Sequence, residues 1–233
     1  MTAVVAHRGA PDPAAGIGEN TIAAFHRARD LGADGVELDV RMTADGAVCL
    51  HHDAVVPGLG PVARLRTADL PDDVPLLAAA FEATDGLSVN VEVKNLPGEP
   101  GFDPEDQLAR AVAAMVAGLG PGREVVVSSF WPPALVAARD AQPDVATGLL
   151  YARPMAPEAA VAAALDHGCR ALHPAADLVT DDLVIAAHQA GVAVCAWTVN
   201  DPEWLAAARV LDVDTVITDD VLLARSVLGG PPR

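Results

Sequence analysis

Short apolar runs rich in valine alternate with Ala-rich amphipathic stretches along the whole chain, and this alternation restricts the fold more than any other feature. Eight runs read as core strands, at residues 4–7, 36–40, 89–93, 125–129, 147–150, 171–173, 192–197 and 215–217. Helical segments are expected at 21–31, 76–84, 104–119, 132–141, 157–167, 180–190, 201–211 and 221–228. Start signals support several of them: Asn20, Asp103-Pro104, Thr180-Asp-Asp and Asn200-Asp-Pro202. Gly168 and Gly191 fall where helices should end. Alternating βα units require parallel strands joined by crossovers, and eight such units close a ring of strands, the TIM (β/α)8 barrel. An open doubly wound sheet is disfavoured, because charged groups are spread over strands one, two and three and no glycine-rich nucleotide loop follows strand one. At 233 residues the chain suits a single domain, 1–233.

One segment breaks the alternation. Residues 47–52 are β-like, yet only 42–46 separate them from strand two, too few for a crossover. They are expected to fold back as an extra β-hairpin strand, with Asp45-Gly46 as a two-residue type I′ loop. That loop pairs Ala44 with Ala47 and Asp39 with His52. Directly paired residues share a face, so His52 is expected beside Asp39 and His51 on the opposite side. The loop 57–75, rich in Gly and Pro and carrying Arg64 and Arg66, is expected to cover one rim.

The strands carry charge where core strands carry valine. Glu37 and Asp39 are two apart in one run, and Glu92 and Lys94, the only lysine, are two apart in another. Successive strand side chains alternate faces, so each pair points one way. His7-Arg8 closes the first strand and His52-Asp53 the hairpin strand. Three carboxylates on neighbouring strands suit a hard divalent cation, Mg²⁺ or Ca²⁺. The plainer account is an acidic strand edge in salt bridges with Arg41 and Lys94. His7 and His52 are candidate acid/base groups, or else satisfied core and capping histidines. Arg8 and Lys94 suit a phosphate, by planar fork and by point charge, and also serve as counter-ions to the acidic cluster. The whole reads as phosphoester chemistry.

Weaker candidates surround these. Glu19-Asn20-Thr21 has a plain account as a helix cap. Trp197 and Asn200 suit either a pocket or core filler and a cap, and His173 is evenly balanced. Asp219-Asp220 read as the cap of the last helix. The net charge of -17 argues against nucleic acid and anionic membranes as partners. No apolar run is long enough to span a bilayer, strand one starts too early for a signal peptide, and three cysteines without CxxC spacing suit buried thiols. A cytoplasmic protein is expected. Hydrophobic content of 52% with 3% aromatic implies a core of Ala, Val and Leu.

With these residues placed, the chain resembles the glycerophosphodiester phosphodiesterase family almost from end to end. The matching pieces are His7-Arg8-Gly9, Glu19-Asn20-Thr21, residues 32–40, Asp45-Gly46 leading to His52-Asp53, Val74-Pro75-Leu76, Glu92-Val-Lys94, Ser129-Phe130, Trp197-Thr-Val-Asn200 and residues 213–219. The resemblance implies a TIM barrel that hydrolyses glycerophosphodiesters to an alcohol and sn-glycerol 3-phosphate with one divalent cation. By motif, Glu37, Asp39 and Glu92 would be metal ligands, His7 and His52 the acid/base pair, and Arg8 and Lys94 the phosphate clamp. It also implies that the substrate's own hydroxyl attacks phosphorus and that water opens the cyclic phosphate. The segment after His-Asp is shorter than the family's usual one, which bears on head-group preference. Two alternatives have their own signatures. A lyase-type phosphodiesterase would stop at the cyclic phosphate of lysophospholipids, and a non-catalytic phosphodiester-binding barrel would be free to lose either histidine.

Overall fold

The computed structural model describes residues 1–120 and 122–229. Its strands are β1 (Ala3–Ala6), β2 (Gly35–Met42), β3 (Val48–Leu50), β4 (Val55–Val56), β5 (Gly60–Pro61), β6 (Ser88–Val93), β7 (Val125–Ser129), β8 (Ala146–Tyr151), β9 (Ala171–Pro174), β10 (Ala193–Ala196) and β11 (Thr215–Thr218). Its helices are α1 (Ile22–Asp30), α2 (Leu77–Ala83), α3 (Gln107–Ala117), α4 (Pro132–Ala141), α5 (Pro157–Asp166), α6 (Asp181–Gln189), α7 (Pro202–Val210) and α8 (Val221–Leu228). Eight strands pair in parallel in the order β1-β2-β6-β7-β8-β9-β10-β11, and β11 returns to β1. The ring is the expected (β/α)8 barrel, with β3 bonded outside it as the extra hairpin strand.

Strand alternation builds two interiors. On β2, Val36, Leu38 and Val40 are completely buried among the barrel-to-helix core that also holds Phe25, Leu77, Leu135 and Leu205. Truncating such a leucine to alanine costs about 2–5 kcal/mol. The intervening residues Glu37 and Asp39 share the other face, in register with Asn90 and Glu92 of β6. Inside the barrel the apolar filling is a small cluster of Val5, Cys195 and Ile217, against which Trp197 packs. All three cysteines are free and buried, as expected.

The hairpin register differs from expectation by one residue. β2 and β3 pair Val40 with Leu50, Arg41 with Cys49 and Met42 with Val48. Thr43 N–H donates to the Ala47 carbonyl at 2.9 Å, which leaves a three-residue loop, Ala44-Asp45-Gly46. The cause is local. The Thr43 hydroxyl donates to Asp45 at 2.7 Å and accepts the Ala47 N–H at 3.0 Å, while Gly46 takes φ +82. A closing residue in the left-handed region is the hallmark of three-residue hairpin loops. His51, not His52, therefore lies opposite Asp39, its N–H donating to the Asp39 carbonyl at 3.1 Å. β3 ends at Leu50, so the turn that follows, rather than the ladder, positions His52.

The expected starts or caps of four helices also differ. The cap of α1 is Thr21, whose hydroxyl accepts the Ala24 N–H at 3.2 Å, and Asn20 is free for another partner. Asp201, not Asn200, caps α7 at the Trp204 N–H, and Asp220 alone caps α8 at the Leu223 N–H. Asp103 instead accepts the N–H groups of Glu105 and Gln107, so α3 begins at Gln107 rather than at 104. Thr180 caps α6 as expected. The 57–75 loop packs Val62 and Leu65 against Cys49 of β3, beside the outer strand. Among the described residues no helix is long and apolar enough to cross a membrane.

Candidate active site

The charged side chains converge at the C-terminal ends of the barrel strands, the face on which (β/α)8 enzymes assemble their chemistry. Glu37, Asp39 and Glu92 each offer a carboxylate oxygen, and these atoms all lie within 4.8 Å of one another. All three residues are buried. Asp39 and Glu92 are direct register partners across β2 and β6, so the parallel ladder itself brings them together.

Three buried carboxylates raise one another's cost of ionisation. Burial, then Asp39 and Glu92, push the Glu37 carboxyl well above its usual range. Burial likewise raises Glu92, against the opposing pull of Lys94. Burial acts on Asp39 too, but Lys94, the Asn20 amide, His52 and Arg8 together outweigh it and hold that carboxyl low. Lys94 Nζ lies 3.0 Å from Asp39 and 2.5 Å from Glu92, and these two carboxylates overcome its burial and raise its pKa. Glu37 Oε1 is buried and takes no hydrogen bond. A cluster of hard oxygens with an orphaned lone pair fits a divalent cation.

Arg8 extends the site. Its Nε lies 3.3 Å from Asp39, and Nη1 donates to both carboxylate oxygens of Glu19, at 2.9 and 3.0 Å. Its main chain is drawn in as well: φ is +53, and its N–H donates to Glu37 Oε2 at 2.9 Å. The corner is completed by Gly9 at φ +78, where any Cβ would stand 2.8 Å from the Cβ of Ala24. This corner is why His7-Arg8-Gly9 is needed as a unit.

Both candidate histidines carry a carboxylate on Nδ1. His7 Nδ1 lies 2.7 Å from Asp219, and its Nε2 is 3.9 Å from Glu37. His52 Nδ1 lies 2.8 Å from Asp53. A carboxylate partner makes Nδ1 the protonated nitrogen and leaves Nε2 for proton transfer. Burial and Lys94 lower the His52 pKa, against Asp39 and Asp53. His51 turns instead to the Asp53 carbonyl, at 2.7 Å.

Three residues have roles that their sequence neighbours hide. Asn20, buried, donates to Asp39 Oδ2 at 2.8 Å and accepts the Asp39 N–H at 3.0 Å, clasping that carboxylate. Asp219 is the partner of His7 rather than a helix cap, and the His7 hydrogen bond is the main cause that holds its carboxyl low. Asn200 donates to Asp219 Oδ2 at 2.6 Å and accepts its N–H at 2.9 Å, so Asn200, Asp219 and His7 form one chain of contacts. The only sequence signal for Asp219 is its place just after a strand end, which a helix cap shares.

His173 lies apart from this cluster, whereas Trp197 follows the C-terminal end of β10 and packs against Val5 and Ile217. His173 is buried over Gly148, where a Cβ would meet its Nε2 at 2.4 Å, and burial lowers its pKa to about 4. It lines a cavity of about 920 Å³ that opens at the N-terminal ends of the strands, away from His7 and His52. It occupies the barrel interior at that end. Trp197 Nε1 donates to the His173 carbonyl at 2.8 Å, and its ring meets Phe130 edge-on at 5.4 Å.

Comparisons with known proteins place the chain in a family. A family model described as the glycerophosphoryl diester phosphodiesterase family matches residues 7–223. A glycerophosphodiester phosphodiesterase of Caldanaerobacter subterraneus subsp. tengcongensis is 31% identical over 240 residues, covering 94% of each chain. Among solved structures, an Oleispira antarctica phosphodiesterase in complex with the product sn-glycerol-3-phosphate is 25% identical, with a TM-score of 0.84 over 98% of this chain and 97% of that one. A glycerophosphodiester phosphodiesterase of Thermotoga maritima is 27% identical, with a TM-score of 0.75 over 96% of both chains. From His7 at the first strand end to the helix after the last, the chain belongs to the glycerophosphoryl diester phosphodiesterase family of phosphoric diester hydrolases.

Proposed function

We propose that this protein hydrolyses glycerophosphodiesters to an alcohol and sn-glycerol 3-phosphate, with His7 and His52 as the acid/base pair. The observation that carries this reading is the convergence of Glu37, Asp39 and Glu92 with Lys94 and Arg8, flanked by two histidines with free Nε2 atoms. Glu37, Asp39 and Glu92 would hold a divalent cation, Mg²⁺ or Ca²⁺, which supplies positive charge beside the phosphoryl oxygens.

The protein's own groups do the rest. Lys94 and Arg8 offer donors to the phosphate oxygens and stabilise charge as phosphorus is attacked. One histidine takes the proton from the substrate's own hydroxyl as its oxygen bonds to phosphorus, and the other protonates the departing alcohol oxygen. The resulting cyclic phosphate is opened by water, with the histidine roles reversed. An internal nucleophile starts with its orientation largely achieved, which lowers the entropic part of the barrier. Asp219 and Asp53 keep each imidazole in the tautomer this requires.

The test is a coupled assay for glycerol 3-phosphate on glycerophosphodiesters with choline, ethanolamine and glycerol as the alcohol, in EDTA and in Mg²⁺ or Ca²⁺. Release of glycerol 3-phosphate that EDTA abolishes and metal restores is expected. Full turnover in EDTA by stripped protein refutes the metal role. Accumulation of a cyclic phosphate would replace hydrolysis by the lyase reaction, and no turnover of any ester would leave a binding barrel.

A further inference from the structure

The inward face of β2 carries a third charged residue after Glu37 and Asp39. The guanidinium of Arg41 is buried, and its hydrogen bonds go elsewhere than to the carboxylate cluster. Nε and Nη2 donate to the His52 carbonyl at 2.9 and 2.6 Å. Nη1 donates to the Lys94 carbonyl at 3.2 Å and to Glu99 Oε2 at 2.9 Å. Resting on the reading of His52 and Lys94 as reacting groups, we infer that Arg41 is a positioning residue that fixes the main chain of both, with Glu99 holding its guanidinium in place.

The need for such a tie follows from the hairpin. β3 ends at Leu50, so no ladder bond fixes the main chain at His52. Lys94 stands just past the end of β6 at Val93; its N–H still donates to the Val40 carbonyl of β2 at 3.1 Å, and its carbonyl accepts from Arg41. Arg41 joins these two strand ends by their carbonyls. Its counter-ion is delivered by a constrained loop: Asn95 donates to the Asp103 carbonyl at 2.7 Å and accepts the Asp103 N–H at 2.9 Å, closing the segment that contains Glu99. Three chain segments thus meet on one planar fork with five donors. An ammonium has neither the reach nor the geometry to hold two carbonyls and a carboxylate at once. A side chain wanted only for packing would be apolar here, since burying a charge is costly unless every donor is used.

Arg41→Met keeps the stem and removes the donors. It is expected to lower kcat by about 10–100-fold, the usual effect of losing an outer partner of an active group, with KM nearly unchanged. Arg41→Lys should recover only part of that loss. A double-mutant cycle separates positioning from general structure. In a His52→Ala background, the loss on Arg41→Met should shrink several-fold relative to that in wild type, because only the tie to Lys94 is left for it to disturb. Wild-type kcat in Arg41→Met, or the same loss with and without His52, overturns the inference. Should Arg41→Met fail to give a cooperative melt, Arg41→Lys and Glu99→Gln run through the same cycle, with the same outcomes deciding. A His52→Ala protein as active as wild type would withdraw the acid/base role of His52, and this role of Arg41 with it. An impaired His52→Ala beside an indifferent Arg41→Met would overturn the positioning role alone.

Discussion

Replacing Glu37 by glutamine should stabilise the metal-free protein while abolishing its response to metal. Two unit charges 4.8 Å apart repel by about 3.5 kcal/mol at an effective dielectric of about 20. Glu37 faces two such carboxylates, while Lys94 and Arg8 offset part of the repulsion through Asp39 and Glu92. Removing one buried charge from such a cluster, with an isosteric oxygen left for the Arg8 N–H, should be worth about 2–4 kcal/mol. In a domain of this size each kcal/mol moves Tm by about 2–4 °C, so a rise of about 5–10 °C is expected in EDTA. The pH dependence has a definite sign. The Glu37 carboxyl is raised in the folded protein, so its contribution to stability is fully present below the ordinary carboxylate range and is lost as pH rises through its folded pKa. The advantage of Glu37→Gln should therefore be small near pH 4 and grow toward pH 8. The assay is thermal unfolding of both proteins across this range, in EDTA and in excess Mg²⁺ or Ca²⁺ at matched ionic strength. Wild type should gain Tm with metal and the variant much less. A variant melting at or below wild type in EDTA at pH 8, or an equal metal-induced rise in both, would refute the reasoning.

Three further outcomes are expected. His52→Ala should lose at least ~10²-fold in kcat, whereas His51→Ala should leave kcat nearly intact; the reverse order in a steady-state assay would exchange their roles. Lys94→Met should weaken kcat/KM sharply at saturating metal, and in EDTA it should also lower Tm, because Asp39 and Glu92 lose the ammonium at 3.0 and 2.5 Å. Near-normal kcat/KM in that variant would reduce Lys94 to a counter-ion. Asp219→Asn should lower kcat by about 10–100-fold by freeing the His7 tautomer, with the melt little changed, and an unaffected rate would make the His7–Asp219 contact incidental.

The barrel was legible in the sequence because its information is local. Valine runs separated by helices of about two to three turns leave few topologies, and the i, i+2 spacing of Glu37 with Asp39 and of Glu92 with Lys94 survives intact as shared strand faces. What could not be read depended on partners far along the chain or on competition within a few residues. Asn20 has the composition of a helix cap, and nothing nearby reveals that its amide belongs to Asp39, 19 residues away. Asp219 meets His7 across 212 residues. The hairpin failed for the opposite reason. Asp45-Gly46 is a strong two-residue turn signal, but the Thr43 hydroxyl captures Asp45 and lengthens the loop by one residue. His52 was nevertheless the histidine whose charge environment includes Asp39, because the turn after Leu50 undoes the shift in register.

The pairing of β1 with both β2 and β11 gives the site an order of birth. His7 N–H donates to the Thr218 carbonyl at 2.9 Å, and its imidazole needs Asp219. A ribosome adding about 5–20 residues per second produces that partner some 10–40 seconds after His7 itself. Throughout that interval β1 has one of its two edges bare, an apolar template for the wrong neighbour. The proposed acid/base apparatus is thus finished only when the last strand slots in, and a nascent chain missing its final βα unit should be both inactive and adhesive. Cells making this protein have reason to shield the first strand of the barrel until the eighth arrives.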